Sequence, residues 1–397
     1  MRVTQNILYG SGVSALQGQY SELARIQEQS LSGQRLNTLS DDPVSVYRGM
    51  LYSSDLSEVE RLEHTTGMGS QRLIEGEDRI RVIHEKMLSA RDLVLQLGNT
   101  WQEGQPNVLD AAAQEALALF QDVMSNANGE FDGVPLFSGG RTELPFSSDQ
   151  VTATPVRQRG VNDMDFSASS SLSIQSGSLD TTGAGYPGIP ASVRLEYDAT
   201  SGSYAVNING EDQGTVSPTG TSLDLGWVSI DVDPDNPPEA GDSFNFEVIP
   251  EYRGGSADRQ IKLNDRESVP GNVTGAELVE GEGLGRGQNL FAVLTGVYGA
   301  LKRQDADELS SWLGQLNEGV AQASDLQSVT GVRTVQVESV TDTLNMTRLN
   351  IEETRALNVD VDLFQVMAEL QKVTQTLQVS SSSERTVLNT SLLDFLK

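Results

Sequence analysis

The chain has 397 residues, enough for about two or three domains, and contains no cysteine, which excludes disulfides, thiol catalysis and thiolate metal sites. Its formal net charge is −29, with 56 acidic against 27 basic side chains. Nucleic acid would be repelled by this charge, and a basic anchor to a membrane surface is excluded for the same reason.

The first predicted element is a helix over residues 5–30, where Leu16, Tyr20 and Leu23 recur at helical spacing. A single apolar stripe of this kind needs a partner helix. The polar residues 1–6 are not followed by an apolar run, so we expect no Sec-type signal peptide. No run of about 18 apolar residues occurs, and we therefore expect no segment that spans a bilayer.

A break in the helical pattern follows at residues 31–44. Gly33 and the polar residues after it mark a turn or an extended linker. Pro43 suits the first turn of a new helix, and Asp41 and Asp42 precede it where carboxylates can cap free backbone N–H groups. The sequence therefore predicts a joint between two helices.

Long helices are predicted on both sides of the chain's middle. A helix is predicted from about residue 44 to 97, and from Val59 to Leu97 apolar or small residues alternate three and four residues apart, which is a sustained heptad pattern. A second helix is predicted at 109–127, and helical periodicity returns at Leu290 and again from Leu309. The members of a last heptad run are Leu363, Val366, Leu370, Val373 and Leu377.

The middle of the chain, residues 131–287, has frequent turn signals and short β-rich runs. Runs at 193–197 and 204–208 flank a short loop and predict a hairpin. Further strands are predicted at 171–174, 227–232 and 244–249. The predicted fold class is α+β and mainly helical, with a long coiled-coil or helical-bundle core built from both chain termini and an inserted β-rich domain.

Three domains are expected from this order. Residues 1–42 and 360–397 would form inner terminal helices, residues 43–140 and 286–359 a helical rod, and residues 141–285 the β-rich outer domain. Two terminal helices cannot cover each other's outer apolar faces, and an exposed leucine forgoes ~1.5–3 kcal/mol of burial. We therefore expect the terminal helices to be disordered in the monomer and to order on assembly.

Short motifs that suggest chemistry are better explained without it. His84 and Glu85 begin a zinc-protease-like motif, but Leu88 stands where its second histidine is required. The acidic stretch 231–236 faintly resembles a calcium loop, yet it lacks the glycine and carries stiffening prolines, which favours an acidic turn. The glycine-rich residues 281–287 lack a phosphate-loop lysine. We expect no catalytic, cofactor or metal site and no enzymatic activity.

The joint resembles the one near the N-terminus of flagellins and hook-associated proteins, with Arg35, Asn37, Ser40, Asp41, Asp42 and Pro43 in the expected order. The opening Met-Arg-Val-Thr and the Ser-Leu-Leu-Asp-Phe-Leu of residues 391–396 also match, and the resemblance covers roughly residues 1–140 and 286–397. The proline at the joint is more similar to the hook–filament junction family, hook-associated protein 3, than to flagellins.

This resemblance implies a structural component of the bacterial flagellum, extracellular and secreted through the flagellar type III apparatus without a cleaved signal peptide. The implied partners are hook-associated protein 1, flagellin, further copies of the chain in a ring, and an export chaperone that binds the C-terminal helix. Flagellin itself remains an alternative. A glycan-binding or hydrolytic surface protein that uses the β domain is the alternative from another class.

The candidate assembly residues lie at the joint and on the terminal apolar stripes. Those at the joint, which would fix its geometry or contact a neighbouring subunit, are Arg35, Asn37, Asp41, Asp42 and Pro43. Those on the stripes are Leu16, Tyr20, Leu23, Leu363, Val366, Leu370, Val373, Leu377, Leu392 and Phe395.

Overall fold

The structure is a computed structural model, and the chain divides into two compact units. The first comprises Met1–His64 with Thr341–Lys397, and the second comprises Thr65–Val340. No described helix is long and apolar enough to cross a membrane. The described residues are 2–36, 42–100, 106–159, 172–175, 178–234, 238–240, 242–264, 266–284 and 287–395.

Six α-helices account for most of the described residues and confirm the predicted helical parts. They are α1 (Arg2–Ser32), α2 (Pro43–Thr100), α3 (Pro106–Ala127), α4 (Leu290–Arg303), α5 (Ala306–Val359) and α6 (Leu363–Phe395). A short π-helical turn, Ala276–Glu280, precedes α4.

The heptad positions of α2 are mostly buried from Val59 to Leu97, as the spacing predicts, whereas Val44, Tyr47 and Met50 near its start are exposed. In the second unit, Ile80, Ile83 and Met87 pack with α3 and α4 into one hydrophobic core. Phe291 of α4 holds this core together, because its ring lies 5.3 Å from Phe120 and 5.1 Å from the ring of Phe146, between centroids. Aromatic pairs at such distances add to the free energy gained by burial alone.

The β-rich part contains a five-stranded antiparallel sheet in the order β3-β10-β5-β6-β7, with β5 and β6 forming the predicted hairpin. A three-stranded sheet, β4-β9-β8, and two two-stranded pairs, β1-β2 and β11-β12, complete the described strands. The bounds are β1 Glu130–Phe131, β2 Val134–Pro135, β3 Phe146–Arg159, β4 Leu172–Ile174, β5 Ala191–Asp198, β6 Ser203–Ile208, β7 Glu211–Val216, β8 Ser222–Asp224, β9 Ser229–Val232, β10 Ser243–Tyr252, β11 Gln260–Lys262 and β12 Ser268–Pro270.

The sequence did not predict β3 and β7, the two edges of the large sheet. Both are polar, and β7 (Glu-Asp-Gln-Gly-Thr-Val) is exposed along almost all of its length. Edge strands pair on one side only, and a polar edge discourages pairing with other chains. β7 therefore lacks the alternation of apolar residues by which the inner strands were recognised. In β3 that alternation is confined to Val151 and Ala153, which pack against the core of the sheet.

Replacement by alanine should have opposite effects on stability at two glycines of the second unit, because only one of them lies against another side chain. A Cβ on Gly296 of α4 would lie 1.9 Å from the buried Trp312 ring, whereas a Cβ on Gly314 of α5 meets no atom within 4 Å. We expect Gly296→Ala to lower the free energy of unfolding by about 1–3 kcal/mol through overpacking. Gly314→Ala, the matched control, should raise it by up to about 1 kcal/mol through helix propensity. Urea unfolding of both variants measures the difference, and equal effects would contradict the packing.

Candidate assembly surface

The two ends of the chain form an antiparallel helix pair, α1 with α6, in the first unit. Ile26 of α1 and Val366 and Leu377 of α6 are buried in this unit. Gln19 Nε2 donates a hydrogen bond to Ser380 Oγ at 3.3 Å, which fixes the register near the far end. The apolar stripe predicted for residues 5–30 thus packs in part against the opposite terminus, while Tyr20 remains exposed.

The pair leaves a cleft of about 320 Å³ between the two helices. Charged side chains of both helices line it, among them Glu22 and Arg25 on α1, and Glu369 and Lys372 on α6. Arg25 donates to both carboxylate oxygens of Glu22, and this hydrogen bonding lowers the pKa of the carboxyl group. The cleft shows that two helices alone do not fill the space between them.

The break between α1 and α2 lies directly beside a second break, between α5 and α6. Gln34 and Asp360 form an antiparallel β-bridge, in which Arg35 N donates to Val359 O at 2.8 Å and Val361 N donates to Gly33 O at 3.1 Å. Gly33 ends α1 with a φ of +69°, a conformation that glycine adopts readily. The two breaks therefore form one unit, which we call the paired joint (residues 33–36, 42 and 360–362).

Side chains of the candidate joint residues reinforce this contact. Arg35 Nη2 donates to Asn358 O at 2.9 Å, so this guanidinium joins the two breaks. Gln29, which is buried, donates through Nε2 to Arg35 O at 2.7 Å. Arg35 is thus held from both sides, while Asn37 and Asp41 lie outside the described residues.

An aspartate caps the helix that leaves each break. Asp42 Oδ1 accepts from Val44 N and Ser45 N, both at 3.2 Å, and its Oδ2 accepts from Ser45 Oγ at 2.6 Å. Hydrogen bonding by Ser45 holds the pKa of Asp42 below its usual value. At the other break, Asp362 Oδ1 accepts from Phe364 N at 2.9 Å. The cap at Asp42 and the proline after it are as predicted, whereas the matching cap at Asp362 was missed.

The candidate residues on the terminal stripes fall into two groups. Leu16, Leu23, Leu370 and Val373 are half-buried in the helix pair, and Val366 and Leu377 are buried. Tyr20 and Leu363 point outward, with 62% and 54% of their surface exposed. Leu392 and Phe395 lie on α6, but their side chains are outside the described part.

Further exposed apolar side chains flank the paired joint, and they lie outside the predicted heptad stripes. Phe364 is 91% exposed and Met367 51%, both on the first turns of α6. Leu31 at the end of α1 and Leu357 at the end of α5 are 89% and 81% exposed. A monomer seldom exposes so many large apolar side chains in one region. The signal in the sequence was available: Phe364 and Met367 are three residues apart, beside the stripe rather than on it.

A metal site would need at least three ligating side chains close together among the described residues. No group of three or more histidine, aspartate or glutamate side chains is placed to hold a metal ion there. His84 and Glu85 lie on α2, where Glu85 accepts from Arg81 Nη1 at 3.0 Å. Asp231 pairs within the small sheet, while residues 235–237 of the acidic stretch are outside the described part.

No family model matches the chain, and no curated protein matches it. The chain is similar to solved structures of flagellar hook-associated proteins. A protein of Vibrio parahaemolyticus described as a flagellar hook-associated protein is 13% identical, with a TM-score of 0.48, over 80% of this chain and 99% of that one. FlgL of Bacillus cereus is 13% identical, with a TM-score of 0.45, over 77% and 99%. The flagellar junction protein FlgL of Legionella pneumophila is 15% identical, with a TM-score of 0.35, over 79% and 100%.

The paired joint predicts that a change at its first cap damages assembly more than folding. We expect Asp42→Ala, and likewise a Pro43→Ala exchange, to shift the thermal midpoint of the purified chain only slightly, because the capped end is at the surface. The assembly that the resemblance implies should fall strongly in a strain that lacks the wild-type gene. Asp362→Ala removes the corresponding cap at the other break and is the variant with which Asp42→Ala is compared. If the thermal midpoint and assembly fell by comparable amounts, the role of Asp42 would be limited to capping α2.

Proposed function

We propose that this chain is a structural subunit of the bacterial flagellum and forms the junction between hook and filament by self-assembly of its terminal helices. One observation carries the proposal: α6 has two apolar faces. Val366 and Leu377 face α1, while Leu363, Phe364 and Met367 are exposed. Large apolar side chains exposed in one region mark a surface that binds another protein. The order of residues at the joint, which resembles that of flagellar proteins, supplies the identity of the assembly.

The free energy of assembly would come from covering these side chains. Full burial of a leucine, methionine or phenylalanine contributes ~1.5–3 kcal/mol. The three exposed residues at the start of α6 could therefore contribute several kcal/mol for each subunit, before the costs of association are subtracted. The paired joint would set the direction in which residues 1–42 and 360–397 leave the helical rod of residues 43–140 and 286–359. Residues 141–285 would be the outer domain and take no part in the core.

The subunit would act outside the cell, after secretion through the flagellar type III apparatus without cleavage of a signal peptide. Its partners would be hook-associated protein 1 on one side, flagellin on the other, and further copies of itself around a ring. An export chaperone would cover the apolar residues of α6 until assembly. The proposal assigns no catalytic role to any residue.

The position of the subunit on isolated flagella tests this proposal directly. A small tag placed in the exposed β7 strand, Glu211–Val216, should label one narrow band between hook and filament. Labelling along the whole filament would identify the chain as flagellin and reject the junction role. Labelling of the cell surface without flagella would favour a surface adhesin or hydrolase.

Removal of the outer domain distinguishes the remaining alternative. We expect a chain lacking residues 141–285 to keep some ability to support filaments, because the terminal helices are intact. A glycan-binding or hydrolytic protein would lose its whole activity with that domain. A tag on the shortened chain confirms that it is still exported.

The expected disorder of the free terminal helices can be measured separately. In a dilute monomer, backbone amides of residues 5–30 should exchange with solvent much faster than those of the α2 core near Ile83. Incorporation into flagella should protect them. Strong protection of residues 5–30 in the monomer would show that assembly does not order this helix.

A further inference from the structure

The start of α2 carries an exposed apolar face in the first unit. Val44, Tyr47 and Leu51 are all exposed, and they recur three and four residues apart, so they lie on one side of the helix. Residues 43–54 contain no acidic residue and one basic residue, Arg48, which is also exposed. This face, which we call the α2 face, is therefore apolar and positively charged in a chain whose net charge is −29.

The end of α5 carries a second exposed face in the same unit, which we call the α5 face. Its apolar members are Met346, Leu349 and Leu357, all of them exposed. Asp342 and Glu353 are exposed at helical spacing from them, so these two carboxylates lie on the same side of the helix. The α5 face is therefore apolar and negatively charged.

The two helices pair with each other through their other sides. A Cβ on Gly49 of α2 would lie 2.8 Å from Val359 Cγ2 of α5, and Arg348 Nε donates to Glu63 Oε1 at 3.3 Å. These two contacts also show that the helices run antiparallel. On each helix a contact residue lies two positions from an exposed apolar residue, which places the two about 160° apart around the axis. The α2 and α5 faces thus point away from the contact between their helices.

Charge makes the two faces complementary to each other. Arg48, Asp342 and Glu353 form no ion pair with any residue in the described part of the chain. Contact between two α2 faces would bring arginines together, and contact between two α5 faces would bring carboxylates together. Like charges in contact oppose association, whereas opposite charges favour it. Each face is therefore suited to the other face and not to a copy of itself.

The spacing of the two faces also matches. Copies related by rotation about a ring axis point the same way along it, so α2 of one copy and α5 of the next run antiparallel, as they do within one copy. Steps of three or four residues then bring the members of one face opposite those of the other. The pairs in this register are Val44 with Leu357, Arg48 with Glu353, and Leu51 with Leu349.

We propose that the α2 face of one copy of this chain binds the α5 face of the next copy. This rests on the proposed function, because it names surfaces by which neighbouring subunits join. A contact between two different faces is head-to-tail, and such contacts close into rings or continue as helical arrays. Three large apolar side chains on each face are few for a stable complex, in which each partner buries about 800 Å². The contact therefore forms where other contacts already hold the copies together.

Cysteine cross-linking tests the contact, because the chain has no cysteine of its own. The full-length chain with Val44→Cys and Leu357→Cys is treated with a short bismaleimide, both in isolated flagella and as concentrated purified protein. We expect a ladder of dimers, trimers and longer species, whereas either single variant should give no cross-link. Met68→Cys in place of Val44→Cys is the matched control, since Met68 is exposed on α2 outside the α2 face. It should give no ladder.

Reversal of one charge tests the pairing directly. Arg48→Glu, added to the chain with both cysteines, should lower the yield of cross-linked species about tenfold. It should leave the thermal midpoint unchanged, because Arg48 is exposed and unpaired among the described residues. Glu353→Arg, added to this chain, should restore the yield, which a merely structural effect of Arg48 would not allow. A yield that stays low would overturn the pairing.

Three further outcomes would overturn the proposal. They are the absence of a ladder in both preparations, a dimer formed by Val44→Cys alone, which would show a twofold contact, and a cross-link from position 44 to a different protein. The place of the chain on the flagellum is measured separately by the tag. A ladder from purified protein would therefore support this contact even if the tag rejected the junction role.

Discussion

Glu247→Gln is expected to make the chain more stable than wild type above pH 8 and to leave it nearly unchanged below pH 4.5. Glu247 lies on β10 and is fully buried, and its burial raises the pKa of the carboxyl group from 4.5 to about 8. The folded state therefore holds a proton between these values that the unfolded chain releases. The stability that this proton contributes is fully present below pH 4.5, falls as the pH rises through this window and is lost above pH 8.

The surroundings of Glu247 explain why its ionised form is disfavoured. Ser192 Oγ donates to Glu247 Oε1 at 3.0 Å, and Arg303 Nη2 donates to that Ser192 oxygen at 2.9 Å. Arg303 is already paired with Glu308, which also pairs with Arg194 at 2.7 Å. Both arginines are thus engaged by other carboxylates, Asp305 included, and a charge on Glu247 would be a buried charge in excess.

The size of this effect should be several kcal/mol, because each pKa unit corresponds to about 1.4 kcal/mol and the group is wholly buried. Urea unfolding between pH 4.5 and about 9 gives the difference in the free energy of unfolding between variant and wild type. Taking this difference removes the contributions of the other carboxyl groups, which both chains share. Glu196→Gln is the matched control, because Glu196 is exposed on the neighbouring β5. It should not change how the free energy of unfolding varies with pH. If the free energy of unfolding of Glu247→Gln varied with pH as it does in wild type, this carboxyl group would not titrate between pH 4.5 and 8.

The second prediction with a large effect concerns the outward face of α6. Phe364→Ser should abolish filament assembly while it changes the free energy of unfolding of the purified chain by less than about 0.5 kcal/mol, because 91% of Phe364 is exposed. Covering a phenylalanine that the monomer leaves in water is a gain made only in the assembly. The combined change of Leu363, Phe364 and Met367 to serine should leave no residual assembly.

Leu144→Ser is the control for this prediction, since Leu144 is also a large apolar residue with an exposed side chain but lies between β2 and β3. It should leave both folding and assembly intact. Calorimetry of the purified chains and electron microscopy of the complemented cells provide the two measurements. Normal filaments with Phe364→Ser would remove α6 from the interface. An unfolded Phe364→Ser monomer would show that the residue has a role within the subunit.

The sequence was most informative where one physical pattern dominates. The heptads of α2 bury Ile80, Ile83 and Met87 because a regular period of apolar residues has one simple solution, a shared helical core. The hairpin of β5 and β6 was equally predictable from two alternating runs and a short loop. The cap at Asp42 followed from local chemistry alone.

Features that depend on distant residues could not be predicted. The second break at residues 360–362 matters because Gln34 bridges to Asp360, a contact between opposite ends of the chain. Glu247 stands at an alternating position that would normally face solvent, but β10 is buried on both faces. Only the folded chain shows these groups as neighbours.

The most direct test of the junction role is deletion of the gene in the bacterium that carries it. We expect complete hooks without filaments, and flagellin released into the medium, because the filament would have no base on which to assemble. The wild-type gene should restore filaments, and the gene with all three α6 residues changed to serine should not. Filaments of normal length in the deletion strain, or loss of the hooks themselves, would contradict the proposed junction.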